Sequence, residues 1–344
     1  MGIPGLLPML KEHLVYKPVE ELGGCVVGVD GFSWLYKAAS VYGVDLYLNP
    51  GDKEVVRKYT QFCVRKCQAL LEKGARLYFV FDGDDHPMKA ETSRKRREKK
   101  AAIRSRIDDL QRKGKKREAR ALMSRCIKVD RAMVDNLITE LDALGIQHIT
   151  APYEADPQLV CLEKDGLIDF IATEDSDLIV YGGNRILFKL NEAHGGELFD
   201  REQILQKCPE AIACLLGRMK EIVALSGCDY TEGIKKVGLL TAHKLMMEYK
   251  TLEGCILHLS KKSSIDLDYL DLCIRVVCTF YFHIVKDPHT KKRRHLSSVS
   301  GSQDACLDSF ALEDISFVGS LSDPVPSSHS ALSPQAVSIS TLVG

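Results

Sequence analysis

Four short runs of apolar, β-branched or aromatic residues punctuate the first half of the chain, at residues 25–29, 77–81, 146–150 and 169–172. Each is too short for a buried helix, and helix-forming stretches separate one from the next. Apolar strands that alternate with helices predict an α/β fold, a central and mostly parallel sheet flanked by helices on both faces. Residues 185–190 read as a further strand, and from about 202 to 283 the pattern is helical. Residues 295–344 hold fourteen serines, several prolines and no Lys or Arg, a composition that predicts a disordered tail.

Composition adds little in sum and more in distribution. The 344 residues are 45% hydrophobic with zero net charge, enough to build a large core in one or two domains. Residues 89–128, however, carry seventeen Lys or Arg against five Asp or Glu, which leaves the rest of the chain with 30 basic and 42 acidic residues. A basic segment this lopsided repels itself unless a polyanion is present, although a solvated helix face has the same composition. Gly114 predicts a turn between two helices within it. The twelve cysteines form no C-x-x-C pair, which fits reduced, mostly buried thiols better than disulfides or structural zinc. No apolar run reaches the length of a membrane span, no signal peptide is expected, and Leu6 breaks the myristoylation pattern that Met1-Gly2 invites.

The candidate chemistry lies just beyond the strands. The first run is followed by Asp30 and the second by Asp82-Gly83. The third leads into Glu154-Ala155-Asp156, and the fourth into Glu174-Asp175-Ser176-Asp177. In open α/β sheets, sites form beyond the carboxyl ends of the strands, so all four strands deliver acid to one rim. Singly, each acid has an ordinary explanation as a strand-end polar residue, a first-turn acid or a helix cap. Together they would repel one another unless cations lay between them. An oxygen-only ligand set favours Mg²⁺ or Mn²⁺ over zinc, and two such ions about 4 Å apart form the usual clamp for phosphodiester hydrolysis. Further on, 225–230 and 233–239 read as a helix, a glycine-containing turn with Lys235 and Lys236, and a helix start at Gly238. That arrangement suits the phosphate backbone of a duplex, and a plain helical hairpin explains it equally well.

Five ordered motifs now carry a resemblance: the start Met1-Gly2-Ile3-Pro4-Gly5-Leu6-Leu7, Phe81-Asp82-Gly83, Tyr153-Glu154-Ala155-Asp156, Glu174-Asp175-Ser176-Asp177 and Gly227-Cys228-Asp229-Tyr230. Over roughly residues 1–290 the chain resembles the five-prime flap nuclease superfamily of XPG type. Residues 29–37, with Asp156 where flap endonucleases carry a glutamate, are similar to its eukaryotic exonuclease 1 branch.

The resemblance implies a nuclease core over 1–290, with 89–128 as a helical arch and a helix–two-turn–helix hairpin near 226–247 in a helical region 202–290. It implies that Asp30, Asp82, Glu154, Asp156, Asp175, Asp177 and Asp229 hold two Mg²⁺, and it is the sole ground for Asp229. Asp175 and Asp177 are expected to be catalytic, as are Lys89 and Arg96, which would stabilise the attacked phosphate. Gly2, Phe32 and Tyr36 are expected near the cleaved DNA end, and Phe32 reads equally as a core residue. Lys235, Lys236 and Gly238 would meet the DNA backbone, and Ser226 and Val237 would border a monovalent ion such as K⁺. Lys236 departs from the glycine usual in that hairpin. The implied activity is five-prime to three-prime DNA exonuclease with flap cleavage at DNA ends, nicks, gaps and flaps. The implied setting is nuclear repair and recombination, with mismatch-repair proteins as partners of a monomer; residues 291–294 form a basic run of nuclear-signal type. Three rivals compete with this reading. They are a flap endonuclease of the same family, a catalytically inactive DNA-end scaffold, and a hydrolase of small phosphorylated molecules.

Overall fold

The computed structural model describes residues 2–261, 269–297 and 315–322. A seven-stranded sheet organises it, in the order β1-β7-β6-β5-β2-β3-β4. The strands are β1 (Val15–Pro18), β2 (Val26–Asp30), β3 (Arg76–Phe81), β4 (Gln147–Thr150), β5 (Phe170–Thr173), β6 (Arg185–Asn191) and β7 (Gly195–Asp200). β2 to β6 are the five expected strands, displaced by a residue or so at their ends, and they pair in parallel. β1 and β7 add an antiparallel margin that the apolar pattern did not disclose. β1 is half exposed, and β7 (Gly195–Asp200) opens with two glycines and mixes polar with apolar residues, so neither shows the continuous apolar run by which a central strand is read.

Alternation along the strands builds two cores, one on each face. Leu77, Phe79 and Phe81 of β3 enter one, together with Val27 and Val29 of β2. Tyr78 and Val80 enter the other, where the helix Ala155–Lys164 packs with Met219–Ser226, Leu239–Tyr249 and Tyr269–Phe282. The chain runs β2, β3, β4 in one direction across the sheet and then returns to place β5 on the opposite side of β2. This reversal opens a crevice at the carboxyl ends of β2 and β5, where α/β sheets hold their ligands.

The basic segment forms the helices Ala90–Arg112 and Lys116–Met123, with Gly114 at φ 73° between them. They meet through a small apolar cluster of Ile107, Leu110, Ala119, Met123 and Cys126, and their charged faces stay in solvent. Cys63, Cys67, Cys161, Cys255 and Cys273 are buried thiols, as expected, and no helix is long and apolar enough to cross a membrane among the described residues. Most of the tail expected to be disordered lies outside the described residues. Within it, His295 ends a strand (Arg293–His295), and residues 315–322 pack on the body through Ile315, Phe317 and Val318. Three apolar side chains in a row of serines supply the burial that the average composition concealed. The basic run at 291–294 is also partly folded, since Arg294 pairs with Asp165 at 2.6 Å and Asp287 at 3.2 Å.

Gly83 seals the end of β3 against the loop after β4. Its N–H donates to the Tyr153 carbonyl at 2.6 Å, and a Cβ there would lie 2.1 Å from the Ala151 carbonyl oxygen. Gly83→Ala is expected to destabilise the protein by about 1–3 kcal/mol, because backbone must shift to admit a methyl group. Urea unfolding measures this, and an unchanged midpoint would remove the close approach from the account.

Candidate active site at the carboxyl ends of the strands

Each acid is placed by a local backbone task. Asp30 ends β2 and caps the following helix, its Oδ1 accepting from the Ser33 N–H at 3.0 Å. Asp82 follows β3, and its Oδ1 accepts from the Ala155 N–H at 2.8 Å, tying two strand ends together. Glu154 and Asp156 flank the first residue of the helix Ala155–Lys164. Asp175 follows β5 and accepts from the Asp177 N–H at 3.1 Å. The ordinary roles and the shared rim are thus both realised, because the strands that carry the acids are neighbours.

Burial and mutual repulsion then set the electrostatics. Burial and the adjacent Asp82 push the Asp30 carboxyl up to about 7, and burial takes Asp82 to about 6. Burial, with Asp175, Asp30 and Asp177 close by, holds Asp156 well above the usual carboxylate range. Asp175 and Asp177 are also raised, chiefly by burial. Glu154 is the exception. Burial acts against its charge too, but Lys89 and His283 outweigh it and hold the carboxyl well below its ordinary value.

The positive charge comes from the start of the basic helices. Lys89 Nζ lies 2.5 Å from Glu154 Oε1 and 2.9 Å from Asp229 Oδ2, and Arg96 donates to Asp229 Oδ1 at 2.7 Å. Thr92 Oγ1 donates to the Asp229 carbonyl at 2.8 Å, so three successive turns grip one residue. This places Asp229, far from the strands in sequence, against the cluster. Behind Glu154, the Tyr230 and Tyr181 hydroxyls donate to Oε2 at 2.6 and 2.9 Å, and His283 Nε2 lies 3.6 Å from the same oxygen. The reading of single motifs missed Tyr181 and His283. Only Tyr230 carried a signal, as the neighbour of Asp229.

The remaining candidates surround this centre. Gly2 lies against it, since a Cβ there would fall 2.7 Å from Asp175 Oδ1, and the Ile3 N–H donates to Ser176 Oγ at 2.8 Å. Tyr36 is close enough that burial and Asp82 raise its hydroxyl, and Lys100 stands over its ring at 5.9 Å. Phe32 meets Phe81 edge-on at 6.5 Å and is only partly buried, so it serves the core margin and keeps a face toward solvent. A cleft of about 680 Å³, lined by Gly2, Asp177, Ser226, Gly227, Asp229 and Lys235, runs from the carboxylates toward the helical turn. There Lys236 adopts φ 69°, in the left-handed region that favours glycine. Gly238 precedes the helix Leu239–Tyr249, Val237 N–H donates to the Ile234 carbonyl at 2.9 Å, and Ser226 Oγ is buried without a hydrogen-bond partner.

Among the described residues no three His, Cys, Asp or Glu side chains are drawn together as a ready-made coordination shell. Lys89 and Arg96 supply the counter-charge from within, which lets Glu154 and Asp229 turn toward them. The donor set nonetheless fits hard divalent ions: the acids offer oxygen only, they are buried, and Asp177 Oδ1 has no hydrogen-bond partner.

An open α/β sheet with a carboxylate cluster at its switch point, faced by a basic helix, defines the class of fold and site. The XPG N-terminal domain model matches residues 1–103 and the XPG I-region model matches residues 145–229. The chain belongs to this family, the five-prime flap nuclease superfamily. It is 34% identical over 316 residues to Exodeoxyribonuclease 1 of Schizosaccharomyces pombe, covering 90% of this chain and 55% of that protein. Against Exodeoxyribonuclease 1 of Saccharomyces cerevisiae it is 35% identical, covering 87% and 43%. The chain therefore spans about half the length of the curated relatives it matches. The catalytic core of Rad2 in complex with DNA substrate superposes with a TM-score of 0.56 at 26% identity, covering 80% of each chain. Flap endonuclease-1 from Methanococcus jannaschii shares the fold at a TM-score of 0.51 and 23% identity, covering 78% of this chain and 81% of that one.

The raised carboxyls give a signed pH dependence. Folding lifts Asp30 from its ordinary 3.8 to about 7, so between these values the folded state holds a proton that the unfolded chain releases. In the metal-free protein, this group's contribution to stability falls as the pH rises through that window. Asp30→Asn, which keeps the capping oxygen, is expected to melt above wild type at pH 8, with the gap narrowing toward pH 5. Thermal melts in chelator measure it, and a wild type that is the more stable at pH 8 would contradict the repulsive cluster.

Proposed function

We propose that the chain is a five-prime to three-prime exonuclease on double-stranded DNA that also cleaves five-prime flaps. The observation that carries the reading is that Lys89 and Arg96 pair with Glu154 and Asp229 beside buried, mutually repelling aspartates at the sheet's switch point. The family and the exodeoxyribonuclease relatives supply the substrate class.

Asp30, Asp82, Glu154, Asp156, Asp175, Asp177 and Asp229 would hold two Mg²⁺, with Mn²⁺ able to substitute. Such ions, when bound, activate water and neutralise charge on the phosphodiester. With cations present, Glu154 and Asp229 no longer need Lys89 and Arg96, which are then free to face the attacked phosphate. Tyr230 and Tyr181, donating to Glu154 Oε2, keep that carboxylate oriented and ionised throughout. Phe32 and Tyr36 would stack on the base at the cleaved end, and Gly2 leaves room for it. Residues 89–128 would act as an arch over the strand. Lys235, Lys236 and the helix start at Gly238 would hold duplex phosphates beside a K⁺ site at Ser226 and Val237. DNA with five-prime ends, nicks, gaps or flaps is the proposed substrate. The proposed setting is nuclear, in mismatch repair, recombination and end resection with mismatch-repair proteins, and the proposed unit is a monomer.

The deciding experiment is digestion of an end-labelled nicked duplex with and without Mg²⁺. Stepwise release from the five-prime side, in Mg²⁺ only, is expected. Cleavage of a bare flap with no attack on the recessed end would instead assign a flap endonuclease, and binding with no cleavage an inactive scaffold. Asp175→Ala is expected to abolish turnover while leaving DNA binding intact. Lys89→Ala should slow cleavage by about 10²–10³-fold at saturating DNA; a loss confined to affinity would remove its role at the phosphate. Affinity should also fall steeply with added salt as counterions are released, and a flat response would contradict the arch.

A further inference from the structure

Behind the carboxylates, residues 315–322 cross the molecule as a short strap. Ser316–Val318 forms a single 3-10 turn, and Val318 is fully buried in a small cluster with Tyr153, Cys278, Phe282 and Ile284. The strap touches the site at two points. The Val318 carbonyl accepts from His86 Nε2 at 3.1 Å, and the Ser320 N–H donates to the Tyr153 hydroxyl at 2.9 Å. Between them Gly319, at φ 112°, lies flat on the Tyr153 ring, where a Cβ would be 2.4 Å from Cε2. Arg293 closes the other side, donating to the Ser320 carbonyl at 3.0 Å with its guanidinium 5.6 Å from the Tyr153 ring centre.

Both contact residues lead directly to the charged centre. His86 Nδ1 accepts from the Met88 N–H at 3.2 Å, capping the turn Pro87–Lys89 that carries Lys89. With Nε2 donating to the strap and Nδ1 accepting from the turn, the imidazole is held neutral in one tautomer. The same ring stacks on His283 at 4.6 Å, and His283 lies beside Glu154 Oε2. Tyr153 immediately precedes Glu154 and accepts the Gly83 N–H on its carbonyl.

We propose that the strap 315–322 is a positioning element for the cleavage reaction, fixing Lys89 through His86 and Glu154 through Tyr153 and His283. The inference rests on the reading that these two residues serve cleavage. No atom of the strap touches the carboxylates, so its effect is on orientation, and it should appear in turnover at saturating DNA. A displacement of order 1 Å in a reacting group lowers rate by up to about 10²-fold.

The test uses the full chain. Gly319→Val places a side chain against the Tyr153 ring and lifts the strap without altering an acid or a base of the site. Leu321→Ala, at a half-exposed position in the same segment, is the control. On the end-labelled nicked duplex with Mg²⁺, Gly319→Val is expected to lower kcat by about 10–100-fold with KM within about twofold, and Leu321→Ala to match wild type. In metal-free protein, ¹⁵N NMR of His86 should show the Nε2–H tautomer in wild type and a tautomer mixture in Gly319→Val. A folded Gly319→Val with wild-type kcat overturns the proposal. Should that variant not fold, Val318→Ala carries the same test: a reduced kcat recovered in Val318→Ile supports the strap, and an unchanged kcat overturns it. If wild type itself does not cleave, the functional reading fails first. If wild type cleaves and the variants match it, only the strap fails.

Discussion

Repulsion among buried carboxylates is the constraint to which the rest of this structure answers. Asp30, Asp82, Asp156, Asp175 and Asp177 all sit where burial and one another oppose their ionisation. A fold accumulates such charge only where something else offsets it. In the metal-free state that offset is the pair Lys89 and Arg96, which reach into the rim from the basic helix and bind Glu154 and Asp229. The two halves of the charge distribution are complementary before any substrate arrives.

Glu154 is the point where the opposing pressures separate. It alone among the strand-end acids is drawn below its ordinary range, because a lysine, a histidine and two tyrosine hydroxyls converge on its two oxygens. Burial and their neighbours oppose the ionisation of the aspartates around it. This difference in environment divides one chemical type into a fixed anion and a set of responsive ones. The groups that fix Glu154 come from β5's following helix, the helical turn near 230 and the end of the helix Tyr269–Phe282, so the C-terminal helices are part of the site's electrostatics as well as its packing.

The acids also bear structural duties. Asp30 caps a helix, Asp82 joins two strand ends, and Asp175 holds the turn to Asp177. Because the carboxylates that organise the loops are those proposed to bind metal, the loop geometry and the chemistry are coupled through shared residues. The hairpin shows a related economy. Lys236 takes the left-handed conformation usually left to glycine, next to Lys235, which lines the cleft's far end.

Much of this was legible along the chain. Continuous apolar runs located β2 to β6 and predicted that they pair in parallel, since strands covered on both faces are rich in apolar residues. The acid after each run followed from the same reading, and parallel pairing obliges those acids to share a rim. The flanking strands β1 and β7 were not legible, because neither carries a continuous apolar run and both are defined by their antiparallel pairing. Asp229, Tyr181 and His283 were hidden for a related reason: each lies on a helix or turn whose relation to the sheet is set by packing of the C-terminal helices. The strap at 315–322 was read as part of a disordered tail, because its burial depends on three side chains finding a groove that no local composition reveals. Local chemistry alone pointed to six carboxylates at the strand ends that would need cations. Tertiary packing decided which ones receive them from Lys89 and Arg96, because charge neutralisation acts through space between segments distant in sequence.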